Sequence, residues 1–276
     1  MLRAEPRKPN SGLKAVVFDW AGTTVDYGCL APVAAFVEVF RQLGVEITLQ
    51  EARAPMGLMK KDHIREITEM PSVRGRWCRT RGAEPTEADV QVLYESLEPM
   101  LIETVAAYSV PVPGIVELCS VLRQRGIVVG SSTGYSAPTM QKLAAAAAEK
   151  GFRADVVVSS SDVPSGRPDP WMCHVNAMRL KVYPMRSMVK IGDTVADIGE
   201  GLNAGMWTVG VVTSGNLLGL SEEQQRLSDP GEVAGRIAAG YRELLQAGAH
   251  YVIDGVWEAL PVLEEIDQRL RAGECP

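Results

Sequence analysis

The chain contains five short apolar runs in which hydrophobic residues do not alternate with polar ones. These runs lie at 15–19, 127–131, 155–159, 188–193 and 207–212. Uninterrupted apolar segments of this length are typical of strands that are buried on both faces. A weaker run at 250–253 predicts a sixth strand. The pattern therefore predicts a buried, mostly parallel sheet.

Segments with the spacing of amphipathic helices fall between these runs. They lie at 137–150, 170–180, 195–204 and 231–247. When strands and helices alternate along a chain, the strands usually form one parallel sheet with helices on both faces. The chain is thus predicted to be an α/β protein with a doubly wound parallel sheet.

One long interval interrupts the alternation. From about residue 29 to residue 108 there is no buried apolar run, only helix-like sequence such as 33–40. We interpret this interval as a helical cap domain inserted between the first and second strands. The predicted division has three parts. Residues 1–12 form a disordered N-terminal extension, residues 29–105 form the cap domain, and residues 13–28 together with 106–276 form the α/β core domain.

Composition narrows the class of function. The formal net charge of −6 disfavours nucleic acid or an anionic membrane as a partner, because both attract basic surfaces. The five cysteines lack CxxC or other metal-ligand spacing, as expected of reduced thiols in the cytoplasm. The first dozen residues contain no apolar stretch of signal-peptide length. We therefore expect a cytoplasmic protein with a small-molecule ligand.

Polar residues follow four of the apolar runs and are the candidates for chemistry. In chain order they are Asp19, Thr133, Gly134, Arg167, Asp193 and Asp197. Ligands of open parallel sheets bind beyond the carboxyl ends of the strands. These residues are therefore expected to converge at one edge of the sheet.

Such a set of residues suits phosphoryl transfer. Carboxylates are hard oxygen ligands that hold Mg²⁺, and the ion offsets repulsion between an anionic nucleophile and a phosphoryl group. Arg167 and donors near Thr133 can bind the remaining phosphoryl oxygens. The alternative is that each aspartate only caps a turn or a helix after its strand. Because suitable residues follow four different strands, we favour a catalytic role for them over a capping role.

The helical interval contributes a second kind of candidate. Lys60 and His63 are three residues apart, which places them on one face of a predicted helix. A lysine removed from water can form a Schiff base with an aldehyde, and a histidine can move protons during that reaction. A solvated basic helix face is the alternative, and spacing alone leaves Lys61 as another candidate amine.

Four segments resemble the motifs of the haloacid dehalogenase superfamily. They are FDWAGTTVDYG, SSTGY, SGRPDPWMC and KIGDTVAD, in the same order along the chain. The resemblance implies that Asp19 forms an aspartyl-phosphate intermediate and that the insertion is a mobile cap. Phosphatases of the superfamily carry a second aspartate, a general acid, at the position of Ala21. Its loss implies a leaving group that this acid does not need to protonate.

With the segment MGLMKKDHI added, the sequence is similar to the branch of that superfamily that breaks the carbon–phosphorus bond of a small phosphonate aldehyde during phosphonate degradation. The resemblance implies that Lys60 forms an imine and that His63 assists proton transfer. It also implies a homodimer formed through the caps.

The same resemblance implies a set of ligand contacts. Mg²⁺ would be held by Asp19, the backbone carbonyl of Ala21 and Asp193, with Asp197 close by. The phosphoryl oxygens would be bound by Thr133, Gly134 and Arg167. Three further residues within the matching segments, Cys29, Met56 and Tyr135, would line the closed site or pack beside it.

Two other functions are possible for a chain of this fold class. A phosphomonoester hydrolase or phosphomutase on the same scaffold would need an acid at Ala21. A phospho-acceptor signalling module or nucleotide-binding domain would lack the inserted cap, and neither GxGxxG nor a Walker loop follows the first strand. The sequence therefore favours the phosphonate-cleaving enzyme.

Overall fold

The centre of the computed structural model, which describes residues 12–276, is a parallel sheet of six strands in the order β3-β2-β1-β4-β5-β6. The strands are β1 (Ala15–Phe18), β2 (Val128–Thr133), β3 (Val156–Ser159), β4 (Met188–Gly192), β5 (Trp207–Val211) and β6 (Tyr251–Ile253). In the register of the central strands, Val16 lies between Val129 and Val189. The predicted α/β fold and its six strands are confirmed, each within two residues of the predicted bounds.

Six α-helices lie between β1 and β2 in the sequence, and the first five fall within residues 29–105. These five are α1 (Ala31–Gln42), α2 (Leu49–Arg53), α3 (Lys60–Glu69), α4 (Pro71–Arg81) and α5 (Glu87–Thr104). Within residues 29–105, all of which the structure describes, there is no β-strand, as predicted. Capping boxes begin α2 and α5, where Thr48 pairs with Glu51 and Thr86 pairs with Asp89.

The remaining α-helices lie within residues 106–276. They are α6 (Ile115–Gln124), α7 (Ala137–Glu149), α8 (Trp171–Leu180), α9 (Val195–Asn203), α10 (Glu222–Leu227), α11 (Pro230–Gln246) and α12 (Ala259–Arg271). Helices α7, α8, α9 and α11 confirm the four predicted segments. Helices α6 and α12 were not predicted, although each buries residues at helical spacing, such as Ile115, Leu118 and Leu122.

One continuous cluster of buried side chains extends from the sheet into the helices that precede β2. It includes Phe18 and Val129 of the sheet as well as Phe36 and Trp77 of the helices. The division into a core domain and a cap domain stays a prediction. The proposed N-terminal extension lies outside the described residues except for Gly12. Among residues 12–276, no helix has the length and apolar composition that crossing a membrane requires.

The stability of the α1–α5 segment should depend on contacts between its aromatic side chains. Phe40 is fully buried and packs edge-on against Trp77, with 6.4 Å between ring centroids. Replacing Phe40 with alanine should lower the free energy of unfolding by about 3–5 kcal/mol, because a large cavity remains. Denaturant titration measures this change. The control Val92→Ala, at a side chain that is 48% exposed, should change stability by less than about 0.5 kcal/mol.

Candidate active site

Asp19 lies directly after β1, at the carboxyl edge of the sheet. Its backbone N–H donates to the Ile191 carbonyl oxygen at 2.8 Å, and the Asp19 carbonyl oxygen accepts a hydrogen bond from Thr24 Oγ1 at 3.0 Å. The chain then turns sharply at Gly22, where φ is +90°. A Cβ at Gly22 would lie 2.4 Å from Asp193 Oδ2, so only glycine allows this turn beside a second carboxylate.

Three buried carboxylates meet at this edge. Oxygen atoms of Asp19, Asp193 and Asp197 all lie within 4.8 Å of one another. Asp193 accepts hydrogen bonds from Thr23 Oγ1 at 3.0 Å and from the N–H of Asn216 at 2.7 Å. Burial and then the charge of Asp197 raise the pKa of Asp19 to about 6, and burial with the Asp19 charge raises the pKa of Asp193 well above its usual value. Hard oxygen donors that repel one another in a buried place fit a divalent cation.

The guanidinium of Arg167 offsets part of this negative charge. It forms ion pairs with Asp19 at 2.7 Å, Asp197 at 3.0 Å and Glu200 at 2.9 Å. Its Nη2 also donates to the carbonyl oxygen of Ser132 at 2.7 Å. Arg167 is only 4% exposed, so its position is fixed from several sides. The predicted basic residue after the third strand therefore lies beside the predicted nucleophile.

Lys190 and Glu200 complete the cluster, and neither is predicted from the sequence. Lys190 Nζ lies 2.7 Å from Asp197 and 3.4 Å from Glu200, and it donates to Ser132 Oγ at 3.0 Å. Both side chains are fully buried. A lysine inside an apolar strand was the available signal, because a buried charge requires a partner. Glu200 holds Arg167 against the strand ends, and Lys190 offsets the negative charge of Glu200 and Asp197.

The start of α3 is in close contact with the strand-end loops. A Cβ at Gly134 would lie 2.3 Å from the Leu58 carbonyl oxygen, and a Cβ at Gly166 would lie 2.2 Å from Met59 Cγ. Both glycines therefore permit a close approach that a larger residue would prevent. This approach brings Lys60, the first residue of α3, to the sheet edge.

A small cavity lies between these two parts of the chain. Its walls include Pro32, Gly57 and Thr194 together with ten predicted site residues, which are Asp19, Ala21, Cys29, Met56, Lys60, Thr133, Gly134, Tyr135, Arg167 and Asp193. The structure therefore brings together the predicted nucleophile, the predicted amine and the predicted phosphoryl-binding residues.

The Lys60 amine is buried in an aromatic environment. Its Nζ lies 4.6 Å from the centroid of the Tyr135 ring and 5.5 Å from that of Phe36. Burial lowers the pKa of Lys60 to about 8, which leaves roughly a tenth of the amine neutral and nucleophilic at pH 7. Lys61, the alternative amine, is partly exposed and pairs with Glu87 at 3.2 Å.

His63 lies behind Lys60 and does not line the cavity. Its ring stacks on Phe36 with 3.8 Å between centroids, and its Nε2 is 2.9 Å from the Ala52 carbonyl oxygen. Its Nδ1 has no hydrogen-bond partner among residues 12–276. Burial, followed by the Lys60 charge, lowers the pKa of His63 well below its usual value. The ring is neutral and supports α3, and its proton-transfer role stays a prediction.

Asp197 also lies outside the cavity wall. One of its oxygens accepts from Thr194 Oγ1 at 2.6 Å in the capping box that begins α9. The other oxygen faces Arg167 and Lys190. The helix-capping alternative is therefore correct for part of this side chain, and Asp197 reaches the site through the two cations.

Comparison with known proteins gives matches over nearly the whole chain. A family model described as haloacid dehalogenase-like hydrolase matches residues 13–205. The phosphonoacetaldehyde hydrolase of Nitratidesulfovibrio vulgaris (strain DSM 19637 / Miyazaki F) is 51% identical over 264 residues, which cover 96% of this chain and 94% of that protein. The phosphonoacetaldehyde hydrolase of Bacillus cytotoxicus is 49% identical, covering 93% of this chain and 97% of that protein. The crystal structure of a phosphonoacetaldehyde hydrolase like protein from Oleispira antarctica matches with a TM-score of 0.94 and 39% identity, covering 100% of both chains.

The lowered pKa of Lys60 predicts a specific pH dependence. Only the neutral amine reacts with a small aldehyde, so reductive alkylation of Lys60 should increase as the pH rises through about 8. Peptide mass spectrometry after brief labelling at each pH measures the midpoint. Lys60→Arg removes the reacting amine and serves as the control. A midpoint near 10.5, the ordinary lysine value, would show that the amine is solvated.

Proposed function

Because the chain belongs to the haloacid dehalogenase-like hydrolases, we propose that it hydrolyses the carbon–phosphorus bond of phosphonoacetaldehyde to acetaldehyde and phosphate. One observation carries the proposal: a buried amine, Lys60, and a buried carboxylate, Asp19, line the same small cavity. The relatives that are about half identical to this chain bear the name of that activity.

The two ends of this substrate need different partners, and the cavity supplies both. The phosphonate group is anionic, and Arg167 with Thr133 and Gly134 lies on the sheet side of the cavity. The aldehyde is an electrophile, and Lys60 lies on the helical side. A molecule that carries both groups on one short chain matches this arrangement of lining residues.

In the proposed reaction, the neutral amine of Lys60 adds to the aldehyde carbon, and uptake of one proton from solvent with loss of water leaves a protonated imine. A carboxylate oxygen of Asp19 then attacks phosphorus. The carbon–phosphorus bond breaks, and its electron pair moves into the iminium to form an enamine on Lys60. No oxygen leaving group requires a proton in this step, which is consistent with Ala21 at the position of the usual acid.

Two hydrolytic steps complete the turnover. The enamine is protonated on carbon, and water then releases acetaldehyde from Lys60. Water also attacks the aspartyl phosphate, which releases phosphate and restores the Asp19 carboxylate. Arg167 remains positioned by Glu200 and Ser132 throughout, at 2.9 Å and 2.7 Å, and can orient the phosphoryl oxygens by charge-assisted hydrogen bonds.

The carboxylate cluster is proposed to bind Mg²⁺. The residues that would hold it are Asp19, Asp193 and the backbone carbonyl of Ala21, with Asp197 close by. When bound, the ion would shield the anionic nucleophile from the anionic phosphonate. The raised pKa values of Asp19 and Asp193 support this assignment, because both carboxylates are buried near other negative charge.

The wider organisation is also part of the proposal. Residues 29–105 would act as a cap that opens for substrate entry and closes over the site. The cap of one protomer would contact the cap of another in a homodimer, as the family resemblance implies. A cytoplasmic location is supported by the cysteines, all five of which are free thiols in the described residues.

The imine step has a direct test. Borohydride added during turnover of phosphonoacetaldehyde should reduce the imine and attach the substrate carbons to Lys60, which peptide mass spectrometry identifies. Lys60→Arg should abolish labelling and lower phosphate release by at least about 10³-fold. Lys61→Arg is the matched control, and it should keep both the labelling of Lys60 and the wild-type rate of phosphate release.

Two results would contradict this function. One is full turnover without any reducible adduct. The other is faster hydrolysis of simple phosphate monoesters than of phosphonoacetaldehyde, which would instead support a phosphomonoesterase on the same scaffold.

The metal assignment predicts a stability change. At a Mg²⁺ concentration about 100 times its Kd, binding to the folded state should add about 2.7 kcal/mol to the free energy of unfolding. Thermal unfolding with and without Mg²⁺ measures this effect. Asp193→Asn should remove the response, whereas Glu223→Gln, at an exposed acidic residue of α10, should leave it unchanged. An unaltered response in Asp193→Asn would place the ion elsewhere.

A further inference from the structure

Arg53, the last residue of α2, joins the helical segment to two other parts of the chain. Its Nη1 donates to the carbonyl oxygens of Gly28 at 3.0 Å and Cys29 at 3.3 Å, and to Asn216 Oδ1 at 3.0 Å. Its Nη2 donates to the Gly219 carbonyl oxygen at 3.1 Å. One guanidinium therefore holds together α2, the link that leads into α1, and the loop that follows β5.

The contact is reciprocal and closely packed. Asn216 Nδ2 donates to the carbonyl oxygen of Arg53 at 3.2 Å. The N–H of Met56 donates to the same oxygen at 3.0 Å. Gly219 has φ of +62°, and a Cβ there would lie 2.7 Å from Arg53 Cζ. The loop after β5 is thus shaped around the guanidinium.

The same residues lead to both sides of the cavity. On the carboxylate side, the backbone N–H of Asn216 donates to Asp193 Oδ2 at 2.7 Å. On the amine side, Met56 and Lys60 follow Arg53 in the chain, and both line the cavity. Cys29, whose carbonyl oxygen Arg53 binds, lines it as well. A displacement of Arg53 would therefore disturb the amine and the carboxylate together.

We propose that Arg53 is a positioning residue that sets the placement of the Lys60 amine relative to the Asp19–Asp193 carboxylates by clamping the helical segment to the loop after β5. It touches neither the substrate space nor the reacting atoms. The proposal rests on the proposed function, in which amine and carboxylate act on one molecule. The planar guanidinium suits this task because its donors reach several acceptors in fixed directions, which a lysine ammonium cannot do.

The effect on turnover distinguishes positioning from general support of the fold. Arg53→Ala should lower phosphate release from phosphonoacetaldehyde by about 10²-fold, because a misplacement of about 1 Å has an effect of that size. Arg53→Lys should recover only a small part of the loss. Arg81→Ala, at an exposed arginine of the same helical segment, should be within about twofold of the wild type.

A double-mutant cycle tests whether Arg53 and its partner Asn216, which together form the Arg53 clamp, act as one unit. Asn216→Ala removes the partner side chain, and the double variant Arg53→Ala/Asn216→Ala should be no slower than Arg53→Ala alone. Effects that multiply would show that the two residues act independently and would overturn the proposal. The thermal unfolding midpoint of each variant establishes that the protein is folded in each measurement.

Hydrogen exchange without substrate supplies a readout that does not depend on the proposed function. In Arg53→Ala, peptides that cover 26–31 and 213–220 should exchange at least about tenfold faster, whereas peptides of β1 and β4 should be unchanged. The midpoint of Lys60 alkylation should also move upward, because the amine becomes more exposed to water. Unchanged exchange and an unchanged midpoint would overturn the proposal. If both change while the wild type does not hydrolyse phosphonoacetaldehyde, the proposed function fails and the clamp stands.

Discussion

The structure depends on the burial of like charges at one edge of a parallel sheet. Carboxylate oxygens of Asp19, Asp193 and Asp197 lie within 4.8 Å of one another. Buried carboxylates at such distances repel one another strongly, because little water screens their charges. Arg167 and Lys190 offset part of that repulsion from the side of the sheet. The remaining excess of negative charge suits this edge to a divalent cation, in line with the proposed Mg²⁺ site.

A second environment faces this one across the cavity. Removal from water raises the pKa of Asp19 and lowers that of Lys60, so the same physical cause brings the pKa values of a carboxyl group and an amine toward neutral pH. The arrangement exists only while the start of α3 rests on the strand-end loops. Contacts at Gly134, Gly166 and the Arg53 clamp are therefore as much a part of the chemistry as the reacting groups are.

The sequence predicts features that depend on local pattern, such as strands and helices. It does not predict features that depend on packing between distant parts of the chain. The strands and most helices follow from runs and spacing, and strand ends alone located Asp19 and Asp193. Lys190, Glu200 and Arg53 were missed because their roles arise from partners far away in the chain, such as Ser132, Asp197 and Gly219. His63 was predicted from its spacing to Lys60, but spacing does not reveal that its ring is turned toward Phe36 and Ala52.

The crowded surroundings of Arg167 bear on how the product leaves. Its guanidinium is already shared among three carboxylates and a carbonyl oxygen. In the proposed function, an arriving phosphonate would therefore exchange places with one of these carboxylates and would gain little from a free cation. Inorganic phosphate would meet the same competition from the returning carboxylates. A guanidinium surrounded in this way would orient an anion during the reaction and favour release of the finished product.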